Sequence, residues 1–218
     1  FASSVAVFGP DPSNPMPDIV TDNTLPSPQT SYGTHKLMLE YLLADFTRKG
    51  YIDGRAARLM TVTVRPGRPN GAASSFFSGI IREPLAGVEA VCPVDPSTAH
   101  PIASPQSTVL SLVGLMTAPR DVLKRRLAVT LPAVNVTVAQ MLDALERVAG
   151  PAVRARVRFE HDARLAGIVA NWPRAAKATT ATDVLGFPGD ASFDAIIQQY
   201  IDDMRLAGQT ATALKGLA

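Results

Sequence analysis

The chain opens on Phe1-Ala2-Ser3-Ser4-Val5-Ala6-Val7-Phe8-Gly9, an apolar, partly β-branched run closed by Gly and Pro, which predicts a short buried strand. Ala57-Arg58-Leu59-Met60-Thr61-Val62-Thr63-Val64 has the same character and predicts a second. Between them Leu37, Leu39, Tyr41, Leu42, Leu43 and Phe46 recur at helical spacing and predict a helix burying a broad face. Thr30 or Ser31 would cap it, and Arg48-Lys49-Gly50 would close it. Strand, helix, strand is the order of a βαβ unit with parallel strands and a right-handed crossover. Buried parallel strands need neighbours on both sides, so this pattern is expected to be the later portion of a longer α/β protein.

The segment from 10 to 30 carries Pro10, Pro12, Pro15, Pro17, Pro26 and Pro28 and predicts a long loop, placed to form one wall of a pocket. Arg65-Pro66-Gly67-Arg68-Pro69-Asn70-Gly71 is a turn at the carboxyl end of a parallel strand, where open α/β sheets place ligands. Helices are expected over about Ser74–Leu85, 105–117, from Asn135 or Thr137 through Val148, about Ala163–Ala170 and Ser192–Leu206. Short strands are expected near Glu89–Val94, Leu127–Leu131 and Val153–Phe159, with a loop through His100.

Composition narrows the class. With 218 residues and 46% hydrophobic positions the chain can bury a real core. A formal charge of +2 is too even to suggest a nucleic-acid or membrane surface. One cysteine, Cys92, and three scattered histidines offer neither an internal disulfide nor a metal cluster, which fits a cytoplasmic protein without a metal. No apolar run is long enough to cross a bilayer, and the start lacks the order of a signal peptide.

Tyr32 and Lys36 stand at i and i+4 near a helix start, on one face and one turn apart. An ammonium beside a phenol favours the phenolate, and the helix N-terminus adds positive potential. Both effects lower the tyrosine pKa toward the range of a general base.

With Ser3-Ser4-Val5-Ala6-Val7-Phe8-Gly9, Ser31-Tyr32-Gly33-Thr34-His35-Lys36 and Arg65-Pro66-Gly67 in this order, the sequence resembles the extended short-chain dehydrogenase/reductase family, also called NAD-dependent epimerase/dehydratase-like. Arg65 to Asn70 with Phe76-Phe77-Ser78-Gly79-Ile80-Ile81-Arg82-Glu83-Pro84 resembles its D-erythronate dehydrogenase branch. The resemblance implies an α/β fold: the C-terminal portion of a Rossmann-type doubly wound parallel sheet with a smaller α/β substrate lobe. Residues 1–73 would be the latter part of the dinucleotide-binding domain. Residues 74–218 would be mainly the substrate lobe, with some segments returning.

The implied activity is oxidation of a secondary hydroxyl of a small sugar acid with NAD as the expected cofactor and NADP as the alternative. Carried over by position, Ser4 would hydrogen-bond the reacting oxygen and Tyr32 would exchange its proton. Lys36 would lower the tyrosine pKa and hold the nicotinamide ribose, and backbone at Pro66 would lie against the nicotinamide. Arg68, Asn70 and Arg82 are candidates for the substrate carboxylate. Family members are commonly homodimers through the Tyr-bearing helix, which implies the same partner here.

The family's G-x-x-G-x-x-G turn is not among these residues. Where nucleotide-sugar members show a His-Val-Asp-Asp-like stretch, this chain has His100-Pro101-Ile102-Ala103. A nucleotide-sugar epimerase or dehydratase is the alternative within the family, and a non-catalytic NAD-fold module the alternative outside enzymes. Ser4 could also be a strand-end serine satisfied by backbone, and Trp172 either a pocket wall or an anchor.

Overall fold

The computed structural model describes residues 1–123 and 128–217, an α/β arrangement built on short parallel strands. These residues form two compact units. The first comprises Phe1–Thr61, His100–Asn135 and Asn171–Gly189; the second comprises Val62–Ala99, Val136–Ala170 and Asp190–Ala218. The chain first leaves the first unit after Thr61 and returns to it twice.

In the first unit, strand Ala2–Ser4 pairs in parallel with Ala56–Leu59, which pairs in parallel with Ala128–Thr130. The opening run is extended only to Ser4, because Val5–Val7 tighten into a 3-10 turn whose start Ser4 caps. The expected strand beginning at Leu127 starts at Ala128 among the described residues. Met60 separates Ala56–Leu59 from a second short strand, Thr61–Val62. Helix Ser31–Arg48 is capped by Thr30, whose hydroxyl accepts the Gly33 amide proton at 3.1 Å.

Two expected loops contain strands. Ile19–Thr21 lies in the longest proline-free stretch between Pro17 and Pro26 and pairs in parallel with Ala175–Lys177. Ala99–Ala103 is extended through His100 despite Pro101. Asn135 lies in a strand and is not the helix cap: its side-chain amide accepts from the Ala176 amide at 2.9 Å and donates to the Ala176 carbonyl at 3.0 Å.

In the second unit, the helices are amphipathic and bury the face that their spacing predicts. Val138–Ala149 starts with a capping box between Thr137 and Gln140 and buries Met141, Leu142 and Leu145. It packs against Phe193–Leu206, which buries Ile196, Ile197, Tyr200 and Ile201. Helix Ser75–Leu85 buries Phe77, Ile80, Ile81 and Leu85. The strand expected over Val153–Phe159 splits into a helical turn, Pro151–Arg154, and a strand, Val157–Phe159, paired with Ala90–Cys92. No helix among the described residues is long and apolar enough to cross a membrane.

Candidate active site

The first unit brings the Tyr-bearing helix against the Ser-bearing strand at two points. A Cβ at Gly33 would lie 2.0 Å from the Ala6 carbonyl oxygen, so only glycine lets the helix start lie this close to the turn after Ser4. One turn along, Lys36 Nζ donates to the Ala2 carbonyl at 2.8 Å. Ala2 and Ala6 flank Ser4 symmetrically in the chain, so both contacts set the helix beside that serine. Sequence reasoning misses Gly33, although a glycine inside a helix start signals close packing.

Tyr32 is exposed, and Lys36 Nζ stands 5.5 Å from the centre of its ring. Ser4 Oγ accepts the Ala6 amide proton at 3.1 Å. That bond is the backbone satisfaction expected of a strand-end serine, yet it uses only a lone pair and leaves the hydroxyl hydrogen for another acceptor.

Behind these residues lies a polar group that the sequence does not reveal. Glu40, two helical turns beyond Tyr32, is buried and accepts from Arg58 Nε at 3.0 Å and from the Arg58 terminal nitrogen at 2.7 Å. It also accepts from Ser3 Oγ, and the Arg58 guanidinium stacks 5.1 Å from the Phe8 ring centre. Helix, first strand and second strand are thus joined through one carboxylate. A lone arginine inside an apolar strand is the available signal, because a buried cation requires a partner.

The expected broad apolar face of helix Ser31–Arg48 is only partly buried. Leu39, Tyr41, Leu42 and Phe46 are exposed, Leu37 and Leu43 are half-buried with Leu37 packed against the core, and only Gly33 and Glu40 are fully covered. The side turned inward carries Gly33, Leu37 and Glu40, because the Glu40–Arg58 pair and the Gly33 contact fix the rotation of the helix.

His100 is buried between Thr61, Pro173 and Trp172. Burial lowers its pKa from 6.5 to about 4, against the opposing hydrogen bond to the Pro173 carbonyl, so the ring is neutral. Nδ1–H donates to that carbonyl at 3.1 Å, and Nε2 accepts from Thr61 Oγ1 at 2.7 Å. Trp172 lies 5.3 Å from the His100 ring centre and so anchors this cluster.

In the second unit, Pro66, Arg68 and Asn70 lie on an exposed turn. Helix Ser75–Leu85 holds the start of that turn from both sides. Ser78 Oγ accepts the Arg65 amide proton at 3.1 Å, and Arg82 donates to the Arg65 carbonyl at 2.8 Å. Arg82 is itself buried and ion-paired with Glu83, which makes it a support of the turn. Cys92 is buried, and burial raises its thiol pKa, the state of an unreactive core thiol. No cluster of potential metal ligands occurs among the described residues.

The first unit thus places parallel strands beside one helix that carries Tyr32 and Lys36, with Ser4 on a neighbouring strand. Residues 1–96 match the NAD dependent epimerase/dehydratase family. The chain is 50% identical over 207 residues to D-erythronate dehydrogenase of Cupriavidus necator, covering 95% of this chain and 62% of the relative. It is 42% identical over 202 residues to D-erythronate dehydrogenase of Haemophilus influenzae, covering 93% and 62%. Among solved structures it resembles a nucleoside-diphosphate-sugar epimerase from Agrobacterium tumefaciens with a TM-score of 0.89 and 40% identity, over 95% of this chain and 59% of that one. L-threonine 3-dehydrogenase from Trypanosoma brucei, at 22% identity and a TM-score of 0.80 over 94% and 62%, shares the fold. The chain spans about three fifths of the length of the curated relatives it matches.

Proposed function

We propose that the protein is an NAD(P)-dependent dehydrogenase that oxidises a secondary hydroxyl of a small sugar acid of the D-erythronate kind. The observation that carries this reading is the docking of the Tyr32–Lys36 helix start on the strand of Ser4 through Gly33 and the Ala2 carbonyl. The likeness to two D-erythronate dehydrogenases supports the substrate class.

The exposed phenol of Tyr32 and the adjacent ammonium of Lys36 form a donor set suited to a ribose diol. These residues would hold the nicotinamide ribose of a dinucleotide. When bound, that group supplies the hydride acceptor. The chain's own residues manage the proton. Tyr32 Oη exchanges a proton with the substrate hydroxyl, and the Lys36 ammonium beside it favours the transfer toward Tyr32. Ser4 turns its free O–H to the reacting oxygen and fixes its position. Arg68 and Asn70 are proposed to bind the substrate carboxylate, with Arg82 holding their turn. A second copy is the proposed partner, through the exposed apolar face of the Tyr-bearing helix, and a cytoplasmic location is proposed from the single buried cysteine.

The test is an assay of the isolated protein, its intact mass measured first, with NAD or NADP and D-erythronate, following the NADH absorbance band. Substrate-dependent NADH formation is expected, and Tyr32→Phe should slow it by about 10²- to 10⁴-fold with the circular dichroism spectrum unchanged. An unchanged rate in Tyr32→Phe removes that residue from the mechanism. Conversion of a nucleotide sugar without net NADH would favour the epimerase reading suggested by the Agrobacterium relative.

A further inference from the structure

Helix Pro105–Thr117 of the first unit is built inside out. It turns Ser107, Thr108, Ser111 and Leu115 inward and leaves Val109, Leu110, Val113 and Met116 exposed, the last at 75%. The polar inner side is accommodated, because Ser107 Oγ donates to the Pro188 carbonyl at 3.0 Å and Thr108 Oγ1 to the Ser104 carbonyl at 2.8 Å. The outer side has no such provision. Residues 101–119 contain no charged side chain, and the outward residues recur at one-turn spacing as a single apolar stripe. A helix that is apolar on its outer side is one that is covered.

The stripe borders a hollow in the same unit. This cavity, of about 510 Å3, is lined by Leu110 and Val113 of the helix and by Val184 and Phe187. Its floor is low because residue 114 has no side chain: a methyl group there would stand 2.7 Å from the Phe187 ring.

An uncharged ridge beside a hollow selects its occupant. A foreign protein is recognised through complementary charges, and this stripe offers none. Across a two-fold axis the patch meets itself, so each ridge fills the other copy's hollow and no like charges of the stripe are brought together. Such an axis runs the two helices antiparallel, which sets the positive N-terminal end of each beside the negative C-terminal end of the other.

We propose that helix Pro105–Thr117 is a self-association surface, on which a second copy of this chain packs antiparallel about a two-fold axis near Val113, with Met116 of each copy entering the hollow of the other. The surface belongs to a different helix from Ser31–Arg48 and stands whether or not copies also meet there.

The experiment is sedimentation velocity of the full chain. A species of at least twice the 23.1 kDa chain mass is expected, and it should persist in about 1 M salt because no charge pair holds it. Leu42→Glu disables the other helix face and should still sediment as a pair. Val113→Glu with Met116→Glu, both at exposed positions, should halve the mass in either background with the circular dichroism spectrum unchanged. Val113→Cys, which keeps the patch apolar, should form a disulfide-linked pair on mild oxidation because the axis brings its two copies together, whereas the unsubstituted chain, with Cys92 buried, should form none. A monomer in the wild-type or Leu42→Glu chain, a mass unchanged by the double substitution, or no linked pair through Val113→Cys overturns the proposal.

Discussion

The first unit has apolar clusters around Val7, Val20 and Met60 and around Leu115, Val129 and Leu131, and it adds buried polar groups that join its elements. Glu40, Arg58 and Ser3 meet between helix and strands, and His100 is held between Thr61 and the Pro173 carbonyl. The second unit puts Ile80, Ile81, Leu85, Met141, Leu142, Leu145, Ile196 and Ile197 in the equivalent interior, with Thr63, Ser78 and Arg82 among its buried polar residues. Apolar packing is non-directional and roughly additive in area, so it tolerates small shifts. A buried ion pair is directional: removing either partner strands the other charge. The candidate catalytic side chains lie on the elements that the ion pair fixes, so precise placement comes with sensitivity to charge and pH.

The contrast can be broken most directly at Glu40. Glu40→Ala leaves Arg58 buried without a partner and should cost about 3–5 kcal/mol in urea unfolding, whereas Glu40→Leu with Arg58→Met should recover most of that loss. Trp172, the single tryptophan, lies in the first unit and lets fluorescence follow this unit, while circular dichroism follows both. In the second unit Leu145→Ala should cost about 2–5 kcal/mol from lost burial and the cavity left behind, and the cost should be the same at pH 5 and pH 7.

Acid sharpens the comparison. The folded His100 pKa of about 4 lies below the 6.5 of the free group, so between these values the unfolded chain binds the extra proton. Stability is therefore full above about pH 6.5, falls as the pH drops toward 4 and levels off below it, a loss of about 3 kcal/mol. His100→Gln should flatten this slope in tryptophan fluorescence. The smallest effect is expected at Arg147–Asp194, a surface pair of the second unit. Its hydrogen bonds to Arg147 hold the Asp194 carboxyl below the usual range, but water screens the pair, and Asp194→Asn should leave the urea midpoint unchanged within error.

The same contrast governs what can be read from sequence. The second unit's helices are legible because their apolar spacing matches the face they bury, as at Met141, Leu142 and Leu145. Helix Ser31–Arg48 is legible in extent but only partly in orientation: its period marks a face from Leu37 to Phe46, of which Leu37 and Leu43 are half-buried, and the residues fully covered are Gly33 and Glu40. Periodicity reports that a stripe exists and not which side of the helix a distant ion pair will draw inward. Tyr32 and Lys36 are visible because their spacing is local. Glu40 and Arg58 are not, since their meeting depends on strand pairing. Ile19–Thr21 and Ala99–Ala103 are hidden by neighbouring prolines, which remove a donor without preventing every residue nearby from pairing.

The alternation of the chain between its two units has a practical consequence for anyone dissecting it. Each unit is assembled from three separate stretches, so no single contiguous fragment holds one unit without part of the other. Recombinant expression of residues 62–99, 136–170 or 190–218 by itself would yield a chain lacking the helices it needs as partners. A protease that cuts once near Thr61 would leave the remaining connections intact, so nicked material should migrate as two bands only after denaturation. Activity and ligand-binding studies therefore call for point substitutions, with truncation a poor tool for assigning roles.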